Sequence, residues 1–113
     1  MHELSITRSV VAIVSERAAG QKVTRVRLEI GRLSAVIPDA IRFCFDICAA
    51  DTPVAGAELQ IDEIAGRGCC NECGAEVRLE ALVGRCPRCG AANLRLTAGQ
   101  ELNIKEMEVE SCA

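Results

Sequence analysis

Two pairs of cysteines constrain the fold of this chain more than any other sequence feature. Twelve residues separate two CxxC pairs, whose members are Cys70, Cys73, Cys86 and Cys89. A glycine follows each pair and permits the tight turn in which backbone amides point at the sulfurs. Four thiolates on two such turns can bind one tetrahedral ion at about 2.3 Å per bond. The spacing therefore predicts a structural zinc site.

Iron and disulfide bonds are the other uses of cysteines with this spacing. Rubredoxin-like iron sites contain similar turns, so an iron-binding electron carrier stays an alternative, and visible colour would reveal it because Zn(II) has a filled d shell. A pair of disulfides needs an oxidising compartment. The chain begins without the basic and then apolar leader of a secreted protein, so we expect a cytoplasmic zinc protein.

The segment around the cysteines has too little apolar surface to form a core of its own. Residues 67–97 contain no aromatic residue and few large aliphatic ones. Metal binding must then supply the folding free energy, which in zinc fingers is on the order of 10 kcal/mol. We expect residues 67–97 to form a separate zinc-ribbon domain.

Periodic apolar residues predict secondary structure in the rest of the chain. The predicted elements are a helix over residues 4–19, a strand over 23–30, a helix from Pro38, a strand over 58–64 and a strand over 102–109. The last strand changes phase between Ile104 and Met107, so a bulge near Lys105 or Glu106 would keep both apolar side chains on the core face.

These elements predict an α+β fold. Residues 1–66 and 98–113 are expected to form a domain with two helices and a small three-stranded sheet, with the ribbon inserted between strands two and three, which we expect to be neighbours. Ile6, Val10 and Ile13 recur at helical spacing beside Val11 and Val14, and this pattern predicts the apolar face of the first helix. In the second helix the predicted apolar row is spaced by four, three and four residues and is flanked by Phe43 and Phe45; its members are Ile37, Ile41, Cys44 and Cys48. Cys44 and Cys48 could bind a metal together, but buried free cysteine is commoner.

The only histidine, His2, directly follows Met1. An initiator methionine is usually removed only before a small residue, so the amino group should stay on Met1. That amine, the amide nitrogen of His2 and its imidazole can fill three corners of a square, and square-planar nitrogen ligation selects Ni(II) or Cu(II). Glu3 is placed to offset the positive end of the helix dipole. Any residue can follow Met1, so the dipeptide alone does not establish a site.

Charge and composition weigh against several functions. The net charge is −3, and in the ribbon five arginines and one Zn(II) balance three glutamates and four thiolates. Both facts disfavour the main alternative, a zinc-ribbon adaptor or nucleic-acid-binding module with an incidental His2. No apolar stretch reaches the length of about eighteen residues that a membrane span needs. A single histidine provides neither a catalytic triad nor an open zinc site, so we expect no enzyme.

Four stretches carry a family resemblance: the start Met-His-Glu-Leu, residues 31–46, the paired CxxC turns, and the ending Glu-Leu-Asn-Ile-Lys-Glu-Met-Glu-Val. Together they resemble the HypA/HybF family of hydrogenase maturation nickel chaperones. The resemblance implies nickel binding by Met1, His2 and Glu3, with a structural zinc on the four cysteines.

The resemblance also implies a cytoplasmic protein that delivers Ni(II) to the large subunit precursor of nickel-iron hydrogenase, together with a nickel-handling GTPase. Some relatives also serve urease. A homodimer is compatible with the sequence, whereas nucleic acid and membrane partners are not expected. No motif fixes a fourth nickel ligand, although Asp39 and Asp46 are candidates, and neither Cys69 nor Cys112 receives a role.

Overall fold

The computed structural model describes residues 3–82 and 84–110. In this part of the chain, two helices and six strands follow one another in the order α1 (Glu3–Ala18), β1 (Val23–Gly31), α2 (Pro38–Ala49), β2 (Glu58–Ile64), β3 (Gly66–Cys70), β4 (Glu76–Leu79), β5 (Leu94–Ala98) and β6 (Leu102–Val109). The predicted α+β class is confirmed. The sequence predicted three of the strands, and β3, β4 and β5 form a second sheet around the cysteines.

The first sheet has the order β2-β1-β6, with β2 parallel and β6 antiparallel to β1. The expectation that the strands before and after the ribbon neighbour each other was wrong, because β1 lies between them. Val23, Val26, Leu28 and Ile30 are all at most 1% exposed. The strand with the most completely buried apolar face occupies the centre of the sheet, where it has neighbours on both edges.

The bulge predicted in the last strand is present. Arg27 lies opposite Glu106 and Leu28 opposite Ile104, so Lys105 is the extra residue of β6. Ile104 therefore packs against the same core as the apolar residues beyond the bulge. The prediction that residues 102–109 form one continuous strand with a bulge is therefore confirmed.

Each helix buries a face slightly different from the predicted one. In α1 the buried residues include Val10, Val11 and Val14, whereas Ile13 is 44% exposed. In α2 they are Ile41, Phe45 and Ala49, with Cys48 packed against the core from its edge, whereas Ile37 is 60% exposed. The predictions for Ile13 and Ile37 were wrong, because the two helices bury their i, i+4 rows against each other and the sheet.

Neither helix is long and apolar enough to cross a membrane, within the residues that the structure describes.

Backbone hydrogen bonds and close packing join the two sheets. Gly31 N–H donates to Glu101 O at 2.8 Å, and Leu33 N–H donates to Gly99 O at 2.7 Å. The Leu33 side chain packs between Gly99 and Gly66, where added Cβ atoms would collide with it. The turn after β1 therefore contacts both chain segments that connect the sheets.

Candidate metal centres

The four predicted zinc ligands lie on two turns of similar shape. In the first turn, Gly74 N–H donates to Cys70 O at 2.9 Å; in the second, Gly90 N–H donates to Cys86 O at 2.8 Å. The two glycines have φ angles of 75° and 76°. Glycine adopts this left-handed conformation without steric cost, which explains its place after each CxxC pair.

The four sulfurs converge on one point. All of the Sγ atoms lie within 4.8 Å of one another, with Cys70 to Cys89 at 3.5 Å and Cys73 to Cys86 at 3.7 Å. A tetrahedral ion with bonds of about 2.3 Å requires sulfurs about 3.8 Å apart. These distances far exceed a disulfide bond of about 2.05 Å. The donor set and its spacing therefore fit one tetrahedral, thiolate-bound ion.

Backbone amides favour the thiolate form of the first cysteine in each pair. The Cys73 N–H lies 3.5 Å from Cys70 Sγ, and this N–H lowers the pKa of the Cys70 thiol. The Cys89 N–H has the same effect on Cys86 and is the main reason why the pKa of that thiol falls from 9.0 to about 7. Both of these cysteines are buried. The turns thus stabilise the charge that a metal ligand must carry.

The second cysteine of each pair behaves differently. In both turns, the N–H of the alanine after the glycine lowers the pKa of this thiol, but other effects outweigh it. Desolvation and the Cys86 thiol raise the pKa of Cys73. The Cys70 thiol and desolvation raise the pKa of Cys89 to about 12. Both side chains are exposed, so an ion can reach the cluster from this side.

The other cysteines that the structure describes do not join the four-sulfur cluster. Cys69 Sγ lies 3.8 Å from Gly74 O, where it packs against the first turn. Cys48 Sγ lies 4.0 Å from Leu4 O at the contact between α1 and α2. Within residues 3–82 and 84–110, only the four ribbon cysteines form a group of three or more potential metal ligands. Cys112 lies outside the described residues.

The predicted nickel ligands Met1 and His2 lie outside the described residues, whereas Glu3 begins α1. Glu3 Oε2 accepts a hydrogen bond from Ile37 N–H at 3.3 Å, immediately before α2. Sequence reasoning missed this contact. Its only signal was the absence of Ser, Thr, Asp or Asn before Pro38, which left the start of α2 without its usual capping side chain.

The two candidate fourth ligands are surface residues. The Asp39 side chain is 95% exposed and lies 3.6 Å from the Arg42 guanidinium. Asp46 is exposed on the same helix. Asp39 is in the first turn of α2, the helix whose start Glu3 contacts. Of the two carboxylates, Asp39 is therefore the one in the turn that adjoins Glu3.

Comparisons with known proteins agree along almost the whole chain. Residues 1–109 match the family described as "Hydrogenase/urease nickel incorporation, metallochaperone, hypA". A hydrogenase maturation factor HypA of Crocosphaera subtropica is 57% identical over 110 residues, which cover 97% of this chain and 96% of the relative. That of Geobacter metallireducens is 51% identical and is covered completely.

Solved structures show the same fold. The solution structure of the Ni metallochaperone HypA from Helicobacter pylori has a TM-score of 0.67 at 28% identity, with 96% of this chain and 97% of that chain covered. A second solution structure of a HypA protein gives 0.71 at 28% identity, with 97% of both chains covered. Because the family match covers residues 1–109 and not the ribbon alone, the comparisons support the predicted nickel chaperone over the alternative of a zinc-ribbon adaptor or nucleic-acid-binding module.

Proposed function

The chain belongs to the HypA family of nickel metallochaperones for hydrogenase and urease maturation, and we propose that it receives Ni(II) at Met1, His2 and Glu3. One observation supports this location above the others. Within the described residues, the only group of three or more potential ligands is the four-cysteine cluster, and its sulfur geometry suits zinc. The chain's single imidazole, at His2, is then the natural donor for the nickel cargo.

The proposed donors suit a metal that must later be released. The Met1 amine, the His2 amide nitrogen and the His2 imidazole form fused chelate rings in a square-planar arrangement, which Ni(II) accepts. The amine and imidazole bind only in their unprotonated forms and the amide nitrogen must lose its proton, so acidification favours release. A site at the chain terminus needs no rearrangement of the core to open. Transfer to an acceptor protein can proceed through exchange of one donor at a time.

The four cysteines have a different role. We propose that Cys70, Cys73, Cys86 and Cys89 hold a structural Zn(II), which supplies the cross-link that a segment without a large core lacks. Among the described ribbon residues, the buried core cluster consists of two of these cysteines and Val77. We further propose that residues 67–97 form the zinc domain and that residues 1–66 with 98–113 form the nickel domain.

The proposed partners follow from the cargo. We propose that the protein acts in the cytoplasm with a nickel-handling GTPase of hydrogenase maturation and delivers nickel to the large subunit precursor of nickel-iron hydrogenase. Urease is the alternative acceptor, because the matching family acts in nickel incorporation into hydrogenase and urease. Recognition of nucleic acid is not part of this function.

Calorimetric nickel titration of zinc-loaded, untagged protein tests the proposed site. His2→Ala should abolish stoichiometric nickel binding, while zinc content and circular dichroism stay unchanged. Ser5→Ala, an exposed position on α1, is the matched control and should bind like the unaltered protein. Tight, stoichiometric binding by His2→Ala would place the nickel site elsewhere and refute the proposal.

A further inference from the structure

The sheet of the ribbon has one buried face and one exposed face. Its strand order is β4-β3-β5, and β3 is antiparallel to both neighbours. The alternate residues Gly66, Gly68 and Cys70 of β3 are buried. Arg67 and Cys69 lie between them and therefore point to the opposite face.

Three arginines lie on this second face. Arg78 of β4 is directly opposite Arg67, and Arg95 of β5 is directly opposite Cys69. Residues that are opposite each other in a sheet point to the same side, so Arg67, Arg78 and Arg95 form one group, which we call the arginine face. All three are exposed. Glu76, opposite Cys69 in β4, is the only acidic residue in these three strands.

The arginine face is electrostatically unfavourable by itself. Arg67 and Arg78 form a cross-strand pair, and like charges directly opposite each other destabilise antiparallel strands. Arg78 has an exposed ion pair with Glu80 at 3.3 Å. Among the residues that the structure describes, no carboxylate forms an ion pair with Arg67 or Arg95. The fold therefore leaves most of the positive charge on this face uncompensated.

The half-exposed arginines of the first sheet have carboxylate partners on neighbouring strands. Arg27 of β1 lies 2.8 Å from Asp62 of β2 and 3.1 Å from Glu106 of β6. Arg25 of β1 forms an ion pair with Glu108 of β6. The arginine face instead pairs one arginine with another. Because the same chain contains both arrangements, the unpaired charge is a particular property of the ribbon, and it favours a negatively charged ligand there.

We propose that the arginine face binds an acidic, extended segment of a partner protein. Guanidinium groups form bidentate, charge-assisted hydrogen bonds with carboxylates. Arg95 is displaced by two residues along the sheet from the pair of Arg67 and Arg78, which is about 6.6 Å at 3.3 Å per residue. Alternate residues of an extended segment have the same separation. Acidic residues at alternate positions thus place one carboxylate beside the arginine pair and the next beside Arg95.

Charge and composition favour a protein segment over a nucleic acid. The arginine face contains no aromatic side chain that could stack on bases. The net charge of the chain, −3, repels a long polyanion. A short acidic segment contacts the arginine face alone and avoids this repulsion. The surface lies on the ribbon, so the inference does not depend on the proposed nickel site.

Proton–nitrogen NMR of the zinc-loaded full chain with two blocked peptides tests this surface. The probe is Gly-Glu-Thr-Glu-Thr-Glu-Gly, and the matched peptide has glutamine in place of each glutamate. At low salt the acidic peptide should shift the amide signals of β3, β4 and β5 with a Kd on the order of 1 mM, and the glutamine peptide should not. In about 1 M salt the binding should weaken by about fivefold or more, because exposed charges are then screened within about 3 Å.

Arg67→Gln should weaken binding of the acidic peptide by about fivefold or more, since it removes one of the paired guanidinium groups. Arg88→Gln is the matched control: it removes the same charge from an exposed position of the ribbon that lies in the second CxxC turn, outside the arginine face. Zinc content checks folding. The midpoint of thermal unfolding should not fall in Arg67→Gln, because the substitution relieves a like-charge pair.

Equal losses of binding in Arg67→Gln and Arg88→Gln would mean that only net charge matters, and would overturn the proposal. Equal shifts with the glutamine peptide, or no shifts at low salt, would overturn it as well. A lower unfolding midpoint in Arg67→Gln would assign that arginine to the fold. Tighter binding of a single-stranded oligonucleotide at the same amides would replace the protein partner with a nucleic acid.

Discussion

The Glu3 carboxylate accepts a hydrogen bond from the backbone N–H of Ile37 at 3.3 Å. Ile37 is the residue before α2, and Pro38, the next residue, has no N–H group. The negative charge therefore lies at the positive end of the α2 dipole, which is favourable. Glu3 belongs to the proposed nickel segment and also secures the contact between the starts of both helices.

Glu3→Ala should destabilise the protein by about 1 kcal/mol, the usual effect of losing a side chain that caps a helix. Glu3→Gln should cost less, because it keeps an acceptor oxygen while removing the charge. Urea unfolding of the zinc-loaded protein measures both. Glu16→Ala, an exposed glutamate near the other end of α1, serves as the control. If Glu3→Ala and Glu16→Ala cost the same, the contact with Ile37 does not contribute to stability.

An extension of two residues before Met1 should weaken nickel binding by about tenfold or more, since a peptide nitrogen then replaces the terminal amine as the available donor. Calorimetry on the extended protein with His2 intact provides the measurement. The same two residues added after Ala113 should have no effect. Unchanged nickel affinity in the first variant would show that the amine of Met1 is not a ligand.

Cys73→Ala should lose zinc and disorder residues from about 67 to 97, because metal binding supplies most of the ribbon's folding free energy. The helices and the β2-β1-β6 sheet should keep dispersed proton NMR signals, since their core does not include the cysteine cluster. Nickel affinity should change little at neutral pH, whereas hydrogenase maturation in cells should fail.

Cys69→Ala is the matched control for this experiment. Cys69 adjoins the cluster but is not among its four sulfurs, so the variant should retain zinc. A dispersed ribbon spectrum without bound zinc in Cys73→Ala would contradict the metal-dependent ribbon. Collapse of the whole spectrum would contradict the independence of the first sheet.

Zinc retention on acidification should depend on the N–H donors at Cys86. The Cys89 and Arg88 N–H groups lower the pKa of the Cys86 thiol to about 7. The stabilisation they give the thiolate is therefore fully present above the ordinary pKa of 9.0 and is lost as the pH falls through about 7. Arg88→Pro removes one donor, so zinc release should begin at a higher pH.

A chromogenic chelator measures this release as a function of pH. Arg88→Ala keeps the N–H group while it removes the same side chain, and its release profile should match that of the unaltered protein. Full zinc content at alkaline pH confirms that the turn still forms in Arg88→Pro. Coincident profiles for the Pro and Ala variants would mean that this N–H group does not tune the cluster.

Local sequence patterns predicted the fold wherever one element's periodicity decided the outcome. The alternation in β1, the bulge at Lys105 and the start of α2 at Pro38 are such cases. The order β2-β1-β6 was not predictable in this way. Strand order depends on how all of the helices and strands pack together, and the periodicity of a single strand does not report that packing. The ribbon strands are four or five residues long and include two glycines in β3, so their periodicity carries little signal.

The candidate sites show the same division. CxxC spacing alone predicted the cysteine cluster. Each pair forms a local turn that places its two sulfurs side by side, and all four sulfurs converge when the two turns pack together. The role of Glu3 depends on Ile37, which is 34 residues away, and no local pattern reports such a contact. Exposure of Ile13 and Ile37 likewise depends on how the helices pack.

The packing of Gly31 between the two sheets leads to the last prediction. A Cβ at Gly31 would collide with the carbonyl of Gly99, whose own Cβ position is 2.7 Å from Gly66 Cα. Backbone atoms on both sides leave no flexible side chain to move aside. Gly31→Ala should therefore destabilise the protein by about 1–3 kcal/mol, the usual cost of overpacking.

Gly84→Ala is the matched control, because a Cβ at Gly84 has no atom within 4 Å, and neither glycine has a positive φ. This variant should be neutral or slightly stabilising, since alanine restricts the unfolded chain. Urea unfolding of both zinc-loaded variants gives the difference, and zinc content should be unchanged because no cysteine is altered. Equal stabilities would show that the backbone around Gly31 and Gly99 can shift to accommodate a methyl group. The contact between the two sheets would then not be rigid.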